Sequence, residues 1–146
     1  MPCLEAHYPL DLVILALGSN DTKIEFNRTP QRIAEGLEKL ISLTKGKDAE
    51  VDPEKLKILI LSPPKILSSS LKGEYRAILK DANSKATQLN SLYGEIAKKH
   101  GALFLSLYDL VDPGSEDGVH FDKDGHAKVA KLLFSLITSL TSVPSA

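Results

Sequence analysis

Two hydrophobic periods divide this chain. Leu10 to Leu17 reads Leu-Asp-Leu-Val-Ile-Leu-Ala-Leu, a near-continuous apolar run. A run of that kind suits a parallel strand buried on both faces. It stops at Gly18-Ser19-Asn20-Asp21, a turn signal at the carboxyl end of the strand. The period then changes. Ile33, Leu37, Leu40 and Ile41 fall at i, i+4, i+7 and i+8 and make one apolar stripe of a helix. Thr29 is its expected cap, Pro30 takes its first position, and Gly46 lies just past its end. Lys47 to Glu54 reads as a polar loop. Leu56 to Leu61 is a second strand, closed by Pro63-Pro64.

A loop marked by Ser68-Ser69-Ser70 and Gly73 follows. A long helix is expected from Glu74 or Ala82 to His100, with Ala86, Leu89, Tyr93, Ile96 and Ala97 on one side and Gly101 as its stop. Leu103 to Leu107 is a third strand and Asp109 to Gly118 a loop. The last helix is capped by Asp122, and its stripe includes Val129, Leu133, Ile137 and Leu140. Thr141 to Ala146 is an expected frayed tail. Strand and helix alternate three times, which predicts an α/β fold with a parallel sheet and right-handed crossovers. Ligands bind such sheets beyond the carboxyl ends of the strands. Asn20 follows the first strand and His120 the third, so both can face one crevice.

Composition narrows the function. The 146 residues suffice for one domain, and 42% hydrophobic with 25% charged residues is ordinary for a globular protein. A net charge of −1 offers no basic footprint, so nucleic acid is not an expected partner. The single cysteine, Cys3, excludes an internal disulfide and a multi-cysteine zinc site. No two of the four histidines stand at a metal-ligand spacing. No apolar run has the length of a membrane span. The N-terminus has no basic stretch followed by an apolar one, which reads as a cytoplasmic protein without a signal peptide.

The chemistry concentrates in Asp117-Gly118-Val119-His120. A carboxylate three residues ahead of a histidine can bond one ring nitrogen, fix the tautomer and leave the other nitrogen free as a base. Alone, the spacing also fits a pair of solvated surface residues. With Gly18-Ser19-Asn20-Asp21 after a buried strand, it resembles the paired G-x-N-D and D-x-x-H blocks of the SGNH hydrolases, also called the GDSL family. The flanking Pro9 to Lys23 and Ser62-Pro63-Pro64 resemble the arylesterase and acyltransferase branch.

The resemblance covers Pro2 to about Leu140 and implies a three-layer αβα domain with a flavodoxin-like sheet, formed by residues 1–146 as one partial domain. It implies a serine esterase acting on small-molecule carboxylic esters, an enzyme that needs no metal and no organic cofactor. His120 matches its base, Asp117 the residue that orients the base, and Asn20 a side-chain donor to the oxyanion. The plainer reading of Asn20 is a turn residue. Asp21 is expected to bond the loop backbone, Ser62 to end a strand, and His126 to have no chemical role. His7 and His100 belong to no constellation. The family's Gly-Asp-Ser nucleophile block and its second oxyanion glycine block have no match in this chain.

The alternative is a non-catalytic α/β domain that binds a partner or ligand through the same crevice. With the family's first strand unmatched, Leu12 to Leu17 becomes a sheet edge. The chain is then expected to form a homo-oligomer, or to associate with a missing N-terminal segment, through that edge.

Overall fold

Successive side chains along three short strands point to opposite faces, which decides the layer each one enters. The computed structural model describes residues 4, 6–7, 9–46 and 56–141. The expected loop from Lys47 to Glu54, Met1, Cys3 and the tail after Thr141 lie outside the described residues. The strands are β1 (Leu12–Ala16), β2 (Lys57–Leu61) and β3 (Leu103–Leu105). They form one parallel sheet in the order β1-β2-β3.

The helices are α1 (Pro30–Thr44), α2 (Gly73–Ile78), α3 (Ala82–His100), α4 (Leu107–Leu110) and α5 (Lys123–Thr141). Ile58 and Ile60 point to one face, where α1 and α3 bring Ile33, Leu37, Ile41, Leu89 and Tyr93. Leu59 and Leu61 point to the other face and meet Val129, Leu132, Leu133 and Leu136 of α5. The result is the three-layer αβα arrangement expected from the pattern. Thr29 caps α1 by accepting from the Arg32 N–H, with Pro30 at the first turn. Asp122 accepts from the Gly125 N–H at the start of α5.

Several expectations change. The long helix takes the later of its two expected starts, Ala82, and runs to His100, while Gly73–Ile78 is a separate helix set off by Leu79 to Asp81. The third strand is short, because Leu107 opens α4, which Ser106 caps by accepting from the Asp109 N–H. β1 is not buried on both faces. Ile14 is 38% and Leu17 49% exposed. The reason is topological: among the described residues β1 is an edge strand paired with β2 alone, and no described element covers the neighbourhood of Ile14 on the α5 side.

The edge has a defined polarity. The Lys57 N–H donates to the Asp11 carbonyl. A strand residue points its own N–H and C=O the same way, and direction alternates along the strand. Asp11, Val13 and Leu15 therefore face β2, while Leu12, Ile14 and Ala16 turn their backbone groups to the open edge.

Candidate active site

The loop after β1 turns sharply because Gly18 has φ +108°, a conformation unfavourable for a side chain. A Cβ there would also stand 2.5 Å from the Tyr93 hydroxyl and 3.2 Å from Pro63. Tyr93, buried in the core, donates from its hydroxyl to the Leu17 carbonyl at 3.3 Å. Burial pushes the Tyr93 hydroxyl pKa up, so it remains a donor. Beyond Gly18 the chain forms a single 3-10 turn, Asn20–Thr22. Thr22 is buried and closes that turn by donating from its hydroxyl to the Ser19 carbonyl at 2.6 Å. Lys85 of α3 donates to the Thr22 carbonyl at 3.1 Å. Held this way, Asn20 is exposed, and among the described residues no hydrogen bond occupies its amide.

The second loop is pinned as firmly. Gly118 has φ +75°, and a Cβ there would collide with the Leu67 carbonyl oxygen. That glycine brings its own carbonyl to the Leu67 N–H at 2.8 Å, and the His120 carbonyl accepts from the Gly114 N–H at 2.8 Å. Val119 packs toward Ile66 and Leu71, while Phe121 packs toward the α5 layer. With its neighbours anchored in separate clusters, His120 projects outward and its side chain is 70% exposed.

Asp117 reaches it through both oxygens. One accepts from the backbone N–H groups of Val119 at 2.8 Å and His120 at 2.9 Å. The other meets His120 Nδ1 at 2.6 Å. The bond from the His120 ring, then the His120 and Val119 N–H groups, hold the Asp117 pKa down to about 2. The carboxylate is therefore ionised near neutrality and can only accept. Nδ1 must be the donor, and the lone pair of the neutral ring is on Nε2.

Both loops open on one crevice of about 320 Å³ at the carboxyl ends of β1 and β2. That volume lies in the range of small-molecule sites. Asn20 and His120 line it from opposite loops, with an apolar wall that includes Leu61, Pro63, Pro64 and Phe121. Asp117 stands behind His120 rather than in the lining. The structure thus brings together the three residues singled out in the sequence. Such a pocket offers an imidazole with a free Nε2 beside an uncommitted amide donor.

Two serines also line the crevice. Ser62 is buried, and its hydroxyl accepts from the Tyr108 N–H at 3.3 Å, tying β2 to α4. Ser19 contributes its carbonyl to the turn. Among the described residues no hydroxyl is hydrogen-bonded to Nε2 of His120.

Asp21 and His100 differ from expectation, and His126, an early-helix residue as expected, takes a place the sequence did not specify. Asp21 pairs with the Arg28 guanidinium rather than with the loop backbone. His126 lines the crevice, with its ring edge-on to Phe121 at 5.8 Å between centroids. Its position one turn into α5, four residues past the Asp122 cap, is the signal that would have found it. His100 has a constellation after all. Its Nε2 lies 2.7 Å from Glu38, which also accepts from Lys99 at 2.6 Å, a surface tie between α1 and α3. Those two partners, Lys99 first, lower the Glu38 pKa. No described helix is long and apolar enough to cross a membrane.

This constellation on a parallel sheet has known counterparts. The GDSL-like Lipase/Acylhydrolase family matches residues 1–128, and the chain belongs to that family. The solved structure of the native M. smegmatis aryl esterase is 31% identical, with a TM-score of 0.84, over 95% of this chain and 65% of that one. Est24, a carbohydrate acetylesterase from Sinorhizobium meliloti, is 27% identical, with a TM-score of 0.83, over 95% of this chain and 65% of its own. A carbohydrate acetylesterase family member from the same organism is 27% identical, with a TM-score of 0.85, over 97% of this chain and 67% of its own. No curated protein matches. The chain spans slightly less than two thirds of the length of the first of these solved relatives.

Proposed function

We propose that this chain supplies the base, the orienting carboxylate and one oxyanion donor of a serine-type carboxylic-ester hydrolase. In this reading His120 Nε2 takes the proton of an attacking hydroxyl and returns it to the leaving alcohol. Asp117 holds the ring in the required tautomer and stabilises the imidazolium formed on the way. The Asn20 amide donates to the oxyanion of the tetrahedral intermediate, a contact whose loss typically costs about 10²- to 10³-fold in rate. The nucleophile is a serine from outside this chain's crevice, since Ser62 is engaged with the Tyr108 N–H and nothing sets Ser19 against Nε2.

The substrates are small esters of the kind the relatives' names indicate, aryl esters or acetylated carbohydrates. A single observation supports this most: the 2.6 Å bond between Asp117 and His120 Nδ1, which leaves Nε2 open to the crevice that Asn20 enters. The test is a fluorophosphonate probe and an activated acetate ester on the purified chain. The expected outcome is no stoichiometric labelling and little turnover. Labelling of Ser19 or Ser62 would overturn the assignment of the nucleophile.

A further inference from the structure

We infer that His126 is a specificity-determining residue of the crevice: its imidazole hydrogen-bonds a free hydroxyl on the alcohol part of the ester. The favoured substrates are then esters of alcohols that keep a further hydroxyl close to the ester oxygen. This rests on the function proposed above, because it takes the leaving alcohol to lie beside His120.

The start of α5 fixes the place of the ring. The Asp122 carboxylate accepts from the Gly125 N–H at 2.8 Å, and the His126 N–H donates to the Asp122 carbonyl at 2.9 Å. Gly125 lets this turn lie close to Phe121, since a Cβ there would stand 3.1 Å from the Phe121 Cβ. The His126 ring then meets the Phe121 ring edge-on, with 85° between their planes and 5.8 Å between centroids. Backbone and packing therefore set its position in the lining, and both ring nitrogens are left over. Among the described residues neither has a hydrogen-bond partner.

The other polar side chains of the lining leave this place to His126. Asn20 and His120 act on the oxyanion and the proton. The Ser62 oxygen is engaged by the Tyr108 N–H. Ser19 stands on the Asn20 loop. The rest of the lining is apolar, with Leu61, Pro63, Pro64 and Phe121 in it.

The side of the ester follows from connectivity. His120 and His126 belong to one loop and the helix it opens, whereas Asn20 comes from the loop after β1. A base that returns its proton to the leaving alcohol must stand against the alcohol oxygen. The alcohol thus lies along the flank shared by His120 and His126, while the oxyanion faces Asn20.

An imidazole offers an N–H donor and, when neutral, a lone pair on the other nitrogen. A hydroxyl has the same two capacities. An alkyl or aryl group has neither, and it would displace water from the nitrogens without replacing the hydrogen bonds. A polar group placed in this way rejects the analogue that lacks its partner. His126 is exposed, so some of its water survives and the preference is modest, about threefold to tenfold in Kd.

Probes on one carbon skeleton isolate the effect: glycerol 1-acetate, which keeps free hydroxyls, and propyl acetate, which has none. Binding to the purified chain is followed by NMR, through the backbone amides, the Asn20 side-chain amide and the ring ¹⁵N signals of His120 and His126. The expected result is that glycerol acetate binds about threefold to tenfold more tightly and shifts the His126 ring signals, while propyl acetate leaves them in place. His126→Phe keeps the aromatic contact with Phe121 and removes both nitrogens. It should equalise the affinities by weakening glycerol acetate alone. His126→Gln brings back a donor and an acceptor without a ring. It should recover the preference, which a packing role would not do.

Equal affinities in the parent chain, or a preference that survives His126→Phe, would overturn the role of His126. With the His120 and Asn20 signals still perturbed, the catalytic reading would stand. Shifts at His126 with His120 Nε2 and the Asn20 amide unmoved would keep the hydroxyl contact and defeat the catalytic reading. Binding of neither ester would overturn the role of His126 as well.

Discussion

Replacing Asp117 by asparagine isolates what the carboxylate does. The substitution keeps the shape, and one side-chain oxygen can still accept from the Val119 and His120 N–H groups. What changes is the atom 2.6 Å from His120 Nδ1, which becomes an NH₂ donor. A donor facing Nδ1 demands a lone pair there, so the ring proton moves to Nε2, the nitrogen that must accept a proton in catalysis. The stability cost is small. Asp117 is 34% and His120 70% exposed, and an ion pair in that setting contributes under about 1 kcal/mol. For a chain of this size that is a fall of a few degrees at most in Tm.

The catalytic cost is far larger. Loss of the correct tautomer in a serine hydrolase triad lowers kcat by about 10⁴-fold, which is about 5.5 kcal/mol of barrier. The tautomer needs no active enzyme to be seen. Two-bond ¹⁵N–¹H correlation spectra of the chain at neutral pH should show Nδ1 protonated in the parent and Nε2 protonated in Asp117→Asn. In a preparation that carries the serine nucleophile the same change should cut kcat by orders of magnitude while Tm holds. An unchanged tautomer, or a rate loss no larger than the stability loss, would refute the orienting role of Asp117.

Other outcomes follow from the same geometry. With its folded pKa held to about 2 from an ordinary 3.8, Asp117 stabilises the fold fully above about pH 4, and the contribution disappears as pH falls through 2; carboxyl ¹³C shifts that move between pH 6 and 4 would contradict this. Gly18→Ala should destabilise the domain by roughly 2 kcal/mol or more, because positive φ is strained for alanine and its Cβ meets the Tyr93 hydroxyl; chemical denaturation with an unchanged midpoint would contradict the close packing. Leu89→Ala, at a fully buried site between α3 and the sheet, should cost about 2–5 kcal/mol, read as a lower urea midpoint at constant slope.

The sequence by itself determined the layers and the chemistry. Near-continuous apolar runs, stripes of period 3.6, Thr29-Pro30, Asp122 and Gly101 are local signals, and local signals specify strands, helices and their ends. The D-x-x-H loop was equally legible, because three residues of spacing suffice for Asp117 to reach both the ring and the backbone of His120. The tertiary structure decided what depends on distant partners. Gly18 is glycine because its φ is positive and a Cβ would meet Tyr93 and Pro63, partners far away in the chain. Arg28 drew Asp21 away from the backbone, Glu38 gathered His100, and the opening of α5 carried His126 into the crevice, all across separations that no period encodes. The apolar run of β1 reads as doubly buried, yet the sheet leaves it at an edge. A side chain's hydrophobicity records the burial it can stabilise, while the neighbour that would bury it is a property of the assembled sheet.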